Sequence, residues 1–273
     1  MRPPTLLPLP VANDVEAITG REMISVHIKP AARTQPAPAP RVLAIFSFRY
    51  DAQLVPDLIS NIAPMVDGWV SFDDRASTAL FSDEPARRRE LLVAARAAGA
   101  EWVLAADPDE RFESALASAM PSLTAATGPV AYAFALREMY DADHYRVDGV
   151  WGRKSQVRLF RMPDVIAPAA APLHSPWQAM IPDVEVRDSA FAIYHLKMIA
   201  AARRRARADL YTHLDPDRRF QPIGYEYLAD ERGAIFEKIA DGRGYHPPHR
   251  DDGGLWMPAV GAADPQLPTP RTR

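Results

Sequence analysis

The chain has 273 residues, of which 48% are apolar and 25% charged, with a formal net charge of −3 and no cysteine. That composition is globular and long enough to bury a real core. It excludes a disulfide framework and a thiolate metal site, and the near-neutral charge argues against nucleic acid as the main partner, because a phosphate backbone demands a basic footprint.

From the N-terminus, Pro8 and Pro10 interrupt Leu6-Leu7 where a signal peptide would need a longer apolar core, and no later run reaches the roughly 20 apolar residues of a membrane span. A cytoplasmic protein is the expectation, with peripheral membrane association left open. Residues 23–28 alternate as a short strand or hairpin arm, and Pro30, Pro36, Pro38 and Pro40 among alanines make a linker, so 1–40 reads as an N-terminal extension. The main domain is expected over 41–245. Residues 42–48 form a buried strand, and 52–65 carry Leu54, Leu58, Ile59 and Ile62 at helical spacing. A second strand at 69–72 ends in Asp73 and Asp74. The helix expected at 82–98 has Ser82 or Asp83 as cap, Pro85 in its first turn and Gly99 as its stop, and Arg88 lies one turn before the apolar stripe of Leu91 and Leu92.

Residues 102–106 are a continuous apolar run that suits a strand covered on both faces, and it ends in Asp107, Asp109 and Glu110 around Pro108. A helix at 114–123 follows, then strands at 130–136, 156–161 and 190–194, the last delivering His195. Residues 197–213 read as a basic helix with Arg203, Arg204, Arg205 and Arg207, and the Pro- and Gly-rich residues 246–273 as a tail. The strand-helix-strand alternation predicts an α/β fold with a mostly parallel mixed sheet flanked by helices.

In such sheets ligands gather outside the carboxyl ends of the strands. Asp107 and Asp109 offer hard oxygen ligands there, suited to Mg²⁺ or Mn²⁺, and His195 offers an imidazole; the same Asp-x-Asp also occurs in ordinary turns. An EF-hand starting at Asp107 is excluded, because Phe112 stands where glycine is needed and Ser118 where glutamate is needed. No Walker-type loop, dinucleotide glycine fingerprint or nucleophile elbow occurs.

Together, Asp73-Asp74, the arginine-bearing helix and Gly99-Ala-Glu-Trp-Val-Leu-Ala-Ala-Asp-Pro-Asp-Glu110 resemble the N-terminal half of a family 2 glycosyltransferase with the GT-A fold. Val157-Arg-Leu-Phe-Arg161, Tyr194-His-Leu196, Asp215-Pro and Gly224-Tyr-Glu-Tyr-Leu228 are similar to blocks in bacterial members, and the resemblance covers roughly 41–230. It implies a single GT-A-like, Rossmann-like domain that moves a sugar from a nucleotide-sugar donor to an acceptor it does not identify. It further implies that Asp73 or Asp74 contacts the nucleotide, that Asp107 and Asp109 hold Mg²⁺ or Mn²⁺ against the donor diphosphate, and that His195 completes the metal shell. From the residues themselves, Arg88 and Arg203 are candidates for the phosphates. The base that accepts the acceptor's proton is expected among His174, Asp148 and Asp183, in that order, with Trp177, Trp151 and Tyr140 as candidate stacking surfaces for a sugar. The alternatives are a non-catalytic nucleotide-sugar-binding or scaffold protein of the same fold, and another metal-dependent enzyme acting on phosphate esters.

Overall fold

Alternation along the strands sorts the apolar side chains into two cores. Leu43 and Ile45 face one side of the sheet with Val70 and Val103, while Val42, Ala44, Phe46, Trp102 and Leu104 face the other. The computed structural model describes residues 23–30, 41–77, 84–168 and 175–249. Its strands are β1 (Ile24–Ile28), β2 (Val42–Phe48), β3 (Gly68–Asp73), β4 (Trp102–Ala105), β5 (Glu110–Phe112), β6 (Val130–Glu138), β7 (His144–Arg146), β8 (Ser155–Arg161), β9 (Glu185–His195) and β10 (Phe236–Lys238). The helices are α1 (Val55–Ile62), α2 (Glu84–Ala97), α3 (Leu116–Thr124) and α4 (Ala201–Leu214).

Eight strands form one sheet in the order β1-β3-β2-β4-β8-β6-β9-β5, and β7 pairs separately with β10. Helix α2 buries Leu91, Leu92, Ala94 and Ala95 on one face, and α1 and α3 bury Leu58, Ile62, Leu116 and Met120 on the other. The two-sided cover explains why the central strands are apolar throughout rather than alternating with polar residues. No helix among the described residues is long and apolar enough to cross a membrane.

The α/β expectation holds, with two corrections to its detail. The sheet is mixed rather than mostly parallel: β2 pairs in parallel with β3 and β4, and β6 with β9, but β8 runs antiparallel between β4 and β6, and β1 and β5 are antiparallel edges. The sheet also begins before Arg41, since Ile24–Ile28 pairs with β3 from Ile24↔Phe72 to Ile28↔Gly68. Gly68 belongs at that edge because a Cβ there would lie 2.2 Å from the His27 carbonyl oxygen. The cap expected at Ser82 or Asp83 lies outside the described residues.

Candidate functional site

Strands β2, β3 and β4 run parallel; β2 and β3 end together, with Phe48 opposite Asp73, and β4 stops opposite Ile45. Outside those ends lies a cavity of about 510 Å³. One wall carries Arg49, Tyr50 and Asp51 after β2, Asp74 after β3, and Glu84, Arg87 and Arg88 at the start of α2. The other wall carries Lys154 just before β8, Arg158 within it, His195, Lys197, and Arg207 and Tyr211 from α4.

The floor is assembled by strand pairing. In the β5–β9 register Glu110 faces His195, and in the β6–β9 register Glu138 faces the same histidine. The Leu196 N–H donates to the Asp109 carbonyl at 2.7 Å and locks the first of these registers. His195 therefore sits between two carboxylates, with Nε2 3.2 Å from Asp109 Oδ1 and Nδ1 3.1 Å from Glu138 Oε2. Arg207 Nη2 donates to the other Asp109 oxygen at 2.8 Å. Lys154 Nζ and Lys197 Nζ lie 3.2 and 3.4 Å from Glu138 Oε1. Arg158 grips Glu110 through Nε at 2.9 Å and Nη2 at 2.6 Å, and reaches Asp107 Oδ2 at 2.7 Å.

This pairing sets the proton affinities. Burial by itself would raise the Asp109 carboxyl, but His195, Arg207 and Lys197 outweigh it and hold it below its ordinary range. Burial likewise opposes ionisation of Glu138, and Lys197, His195 and Lys154 carry it well below the usual glutamate value. For His195, burial and Lys197 lower the affinity for a proton while Glu138 and Asp109 raise it, with a net upward shift. Asp51 shifts the other way, as Glu110 and Glu84 do under burial. Burial, reinforced by the charge of Asp109, pushes it up to about 7 despite the backbone N–H of Arg49 donating to it at 3.0 Å.

Of the residues expected from the sequence, the structure brings Asp74, Arg88, Asp107, Asp109 and His195 to the cavity. Asp73 points outward and is forked by Arg75. Asp74 is buried and 3.3 Å from Arg87 Nη1, whereas Arg88 pairs with Glu84, donates to the Ser175 carbonyl and lies 4.6 Å over the Trp177 ring. Arg203 is buried in α4 away from the cavity lining. Asp148 is committed to Arg146 and the Ile235 N–H, and Asp183 sits at φ 53° in the turn before β9; neither lines the cavity. His174 lies outside the described residues. Trp151 packs with Met198, Tyr225 and Leu228 under Lys154, whose Nζ is 4.1 Å from its ring centroid.

Sequence reasoning missed Asp51, Glu138, Arg158, Lys197 and Arg207 as site residues. Only Glu138 and Lys197 carried a local signal, one ending an apolar strand and the other two residues past His195. The tyrosines opposite the acids were equally illegible. Tyr225 is held by Asp215, which accepts from its hydroxyl at 2.9 Å and from the N–H groups of Arg219, Phe220 and Gln221. Gly224 closes that loop at φ 75°, where a Cβ would lie 2.4 Å from Glu226 Oε2.

The donor types of Asp107, Asp109 and His195 suit Mg²⁺ or Mn²⁺. Their arrangement does not fit such an ion, because both oxygens of Asp109 and one of Asp107 already face cationic or proton-donating nitrogens. Unit charges about 4 Å apart interact by about 4 kcal/mol at an effective dielectric of about 20, so each displaced or retained cation weighs heavily against a dication. Among the described residues, three ligand groups within 4.8 Å of one another occur only at Asp141, Asp143 and His144, on the exposed turn before and into β7. No protein-family model matches the chain, and no curated protein matches it.

Proposed function

We propose that the protein is a glycosyltransferase with a GT-A-like domain, moving a sugar from a nucleotide-sugar donor to an acceptor hydroxyl. The observation that carries this reading is the cavity outside the ends of β2, β3 and β4, which combines a buried aspartate, Asp74, with Arg87 and Arg88 at the start of α2. A carboxylate accepts from ribose or base donors, and guanidinium groups suit phosphate oxygens. The resemblance of Gly99 to Glu110 to family 2 transferases points to the same chemistry.

In the transfer, the bond between the anomeric carbon and the diphosphate oxygen breaks and its electron pair leaves with the diphosphate. The acceptor oxygen bonds to the anomeric carbon, and its proton passes to a base. Asp51 suits that step better than Asp148 or Asp183, because it lines the cavity and its affinity for a proton is matched to neutral pH. No step of this scheme runs through Mg²⁺ or Mn²⁺. The test is thermal denaturation with UDP and with GDP, followed by turnover of a panel of nucleotide sugars. A rise in Tm with one nucleotide, reduced by Asp74→Ala, is the expected result. No shift with any nucleoside diphosphate would sink the reading.

A further inference from the structure

Arg111 stands in the middle of β5 and is 2% exposed. Its guanidinium donates to three backbone carbonyls: Nη1 to Pro108 at 2.8 Å and to Glu110 at 2.6 Å, and Nη2 to Leu54 at 3.3 Å. The first two acceptors lie on either side of Asp109, so one nitrogen grips the acidic turn around that residue. The third belongs to the turn after β2, where the Leu54 N–H donates back to the Asp51 carbonyl at 2.9 Å. Next along β5, Phe112 exchanges two hydrogen bonds with the buried Asn61 amide of α1, at 2.7 and 2.9 Å. Asn61 therefore moors α1 to β5, and Arg111 ties the turn that leads into α1 to the turn that carries Asp109. A buried guanidinium is a costly way to satisfy carbonyls. Its planar fork, however, fixes three acceptors at set angles, which is a positional function.

We propose, resting on the transferase reading only for Asp51 as the base, that Arg111 is a positioning residue that holds the Asp51 turn against the Asp109 turn. The Asp51 carboxyl faces Asp109 from the connection between β4 and β5, Arg207 from α4 and the Arg49 N–H from its own turn. Burial and Asp109 raise its affinity for a proton, and Arg207 and the N–H act against them. Both raising influences depend on how closely the two turns are held, because separation admits water and weakens the repulsion between like charges. Arg111 itself donates only to backbone carbonyls here, so its effect on transfer is exerted through the place and proton affinity of Asp51.

The test is titration of the Asp51 carboxyl followed by ¹³C NMR, with its signal assigned by its loss in Asp51→Asn. In the natural chain the midpoint is expected at about 7, and one near the ordinary aspartate value of about 4 overturns the inference. Arg111→Lys keeps the charge and loses the fork, and Arg111→Gln loses both. A strut predicts a midpoint that falls toward about 4 in both variants. A midpoint unchanged in Arg111→Lys overturns the inference, and so does one raised in Arg111→Gln, the sign expected from loss of a nearby cation alone. Should neither variant fold, Asp109→Asn decides: the midpoint should fall when the charge of Asp109 is removed, and an unchanged one overturns the inference, since there is then no juxtaposition to hold. Turnover separates the strut from the transferase reading. With an active nucleotide sugar, Arg111→Lys should lower kcat by about tenfold or more with KM nearly unchanged, and an unchanged kcat overturns its part in transfer. No turnover by the natural chain with any donor overturns the transferase reading, and the titration still judges the strut.

Discussion

Two groups in this molecule contain the same ligand types at the same Asp-x-Asp spacing, and they behave oppositely. Asp107-Pro108-Asp109 with His195 lies at the floor of the cavity, where the Asp109 side chain is 4% exposed and bonded to an imidazole and a guanidinium. Asp141-Ala142-Asp143 with His144 lies on a surface turn, with Asp141 and Asp143 58% and 51% exposed and His144 Nδ1 within 3.1 and 2.9 Å of them. The first cluster is drawn from the connection between β4 and β5 and from the end of β9, and is balanced by cations. The second comes together from four consecutive residues, and its nearest added cation is Lys238 at 3.4 Å from Asp143. Spacing of acids thus says little about function until the neighbours of each carboxylate are known.

The largest expected effect sharpens that contrast. Asp109→Ala leaves Arg207 and His195 without their shared counter-charge in a buried setting, so urea denaturation should show a loss of about 3–5 kcal/mol. The corresponding change on the surface, Asp143→Ala, should stay within about 0.5 kcal/mol. Equal losses at the two positions would remove the distinction between the clusters.

Next in size is an effect on rate. Asp51→Asn should lower kcat by about 10²- to 10⁴-fold and abolish the rise of kcat/KM with pH through about 7, the value to which burial and Asp109 push its carboxyl. The sign for stability is the reverse: a carboxyl with a raised pKa loses stabilisation as pH rises from about 4 through about 7, so Asp51→Asn should raise Tm at alkaline pH and leave it nearly unchanged near pH 4. A pH profile of Asp51→Asn parallel to that of the natural chain would dismiss Asp51 as the base.

A smaller effect concerns the histidine between its two acids. Because the proton affinity of His195 is raised, its contribution to stability is fully present below the ordinary histidine value of about 6.5 and is lost as pH rises through the raised one. Glu138→Gln should flatten that decline in a pH series of Tm. The lowered Asp109 acts at the other end: its contribution is present above about 3.8 and disappears as pH falls. A Glu138→Gln series that declines as steeply as that of the natural chain would remove His195 from that limb.

Much of the fold was legible from periodicity. The strands at 42–48, 102–106 and 156–161 and the helix ending at Gly99 follow from apolar runs, alternation and a stop residue, which are local properties of the chain. Strand β5 was not legible, because Glu110-Arg111-Phe112 has no run or alternation of its own and is extended only by pairing with β9. The first half of β9 was missed for a similar reason, since Glu185, Arg187 and Asp188 carry no apolar run of their own and are extended by pairing with β6.

The same division runs through the candidate site. Local sequence determined that acids stand at the ends of β3 and β4 and that His195 ends an apolar strand, since apolar runs dictate burial and polar residues dictate where strands stop. Only the tertiary structure decided that Glu110 and Glu138 flank His195 in register, and that Arg158 and Arg207 arrive from β8 and α4 to face Asp107 and Asp109. Ion pairing acts over a few ångströms in space, and Arg207 is 98 residues from Asp109 along the chain. The acidic motif Asp107-Pro-Asp-Glu110 is therefore a property of the sequence, and its state of charge a property of the fold.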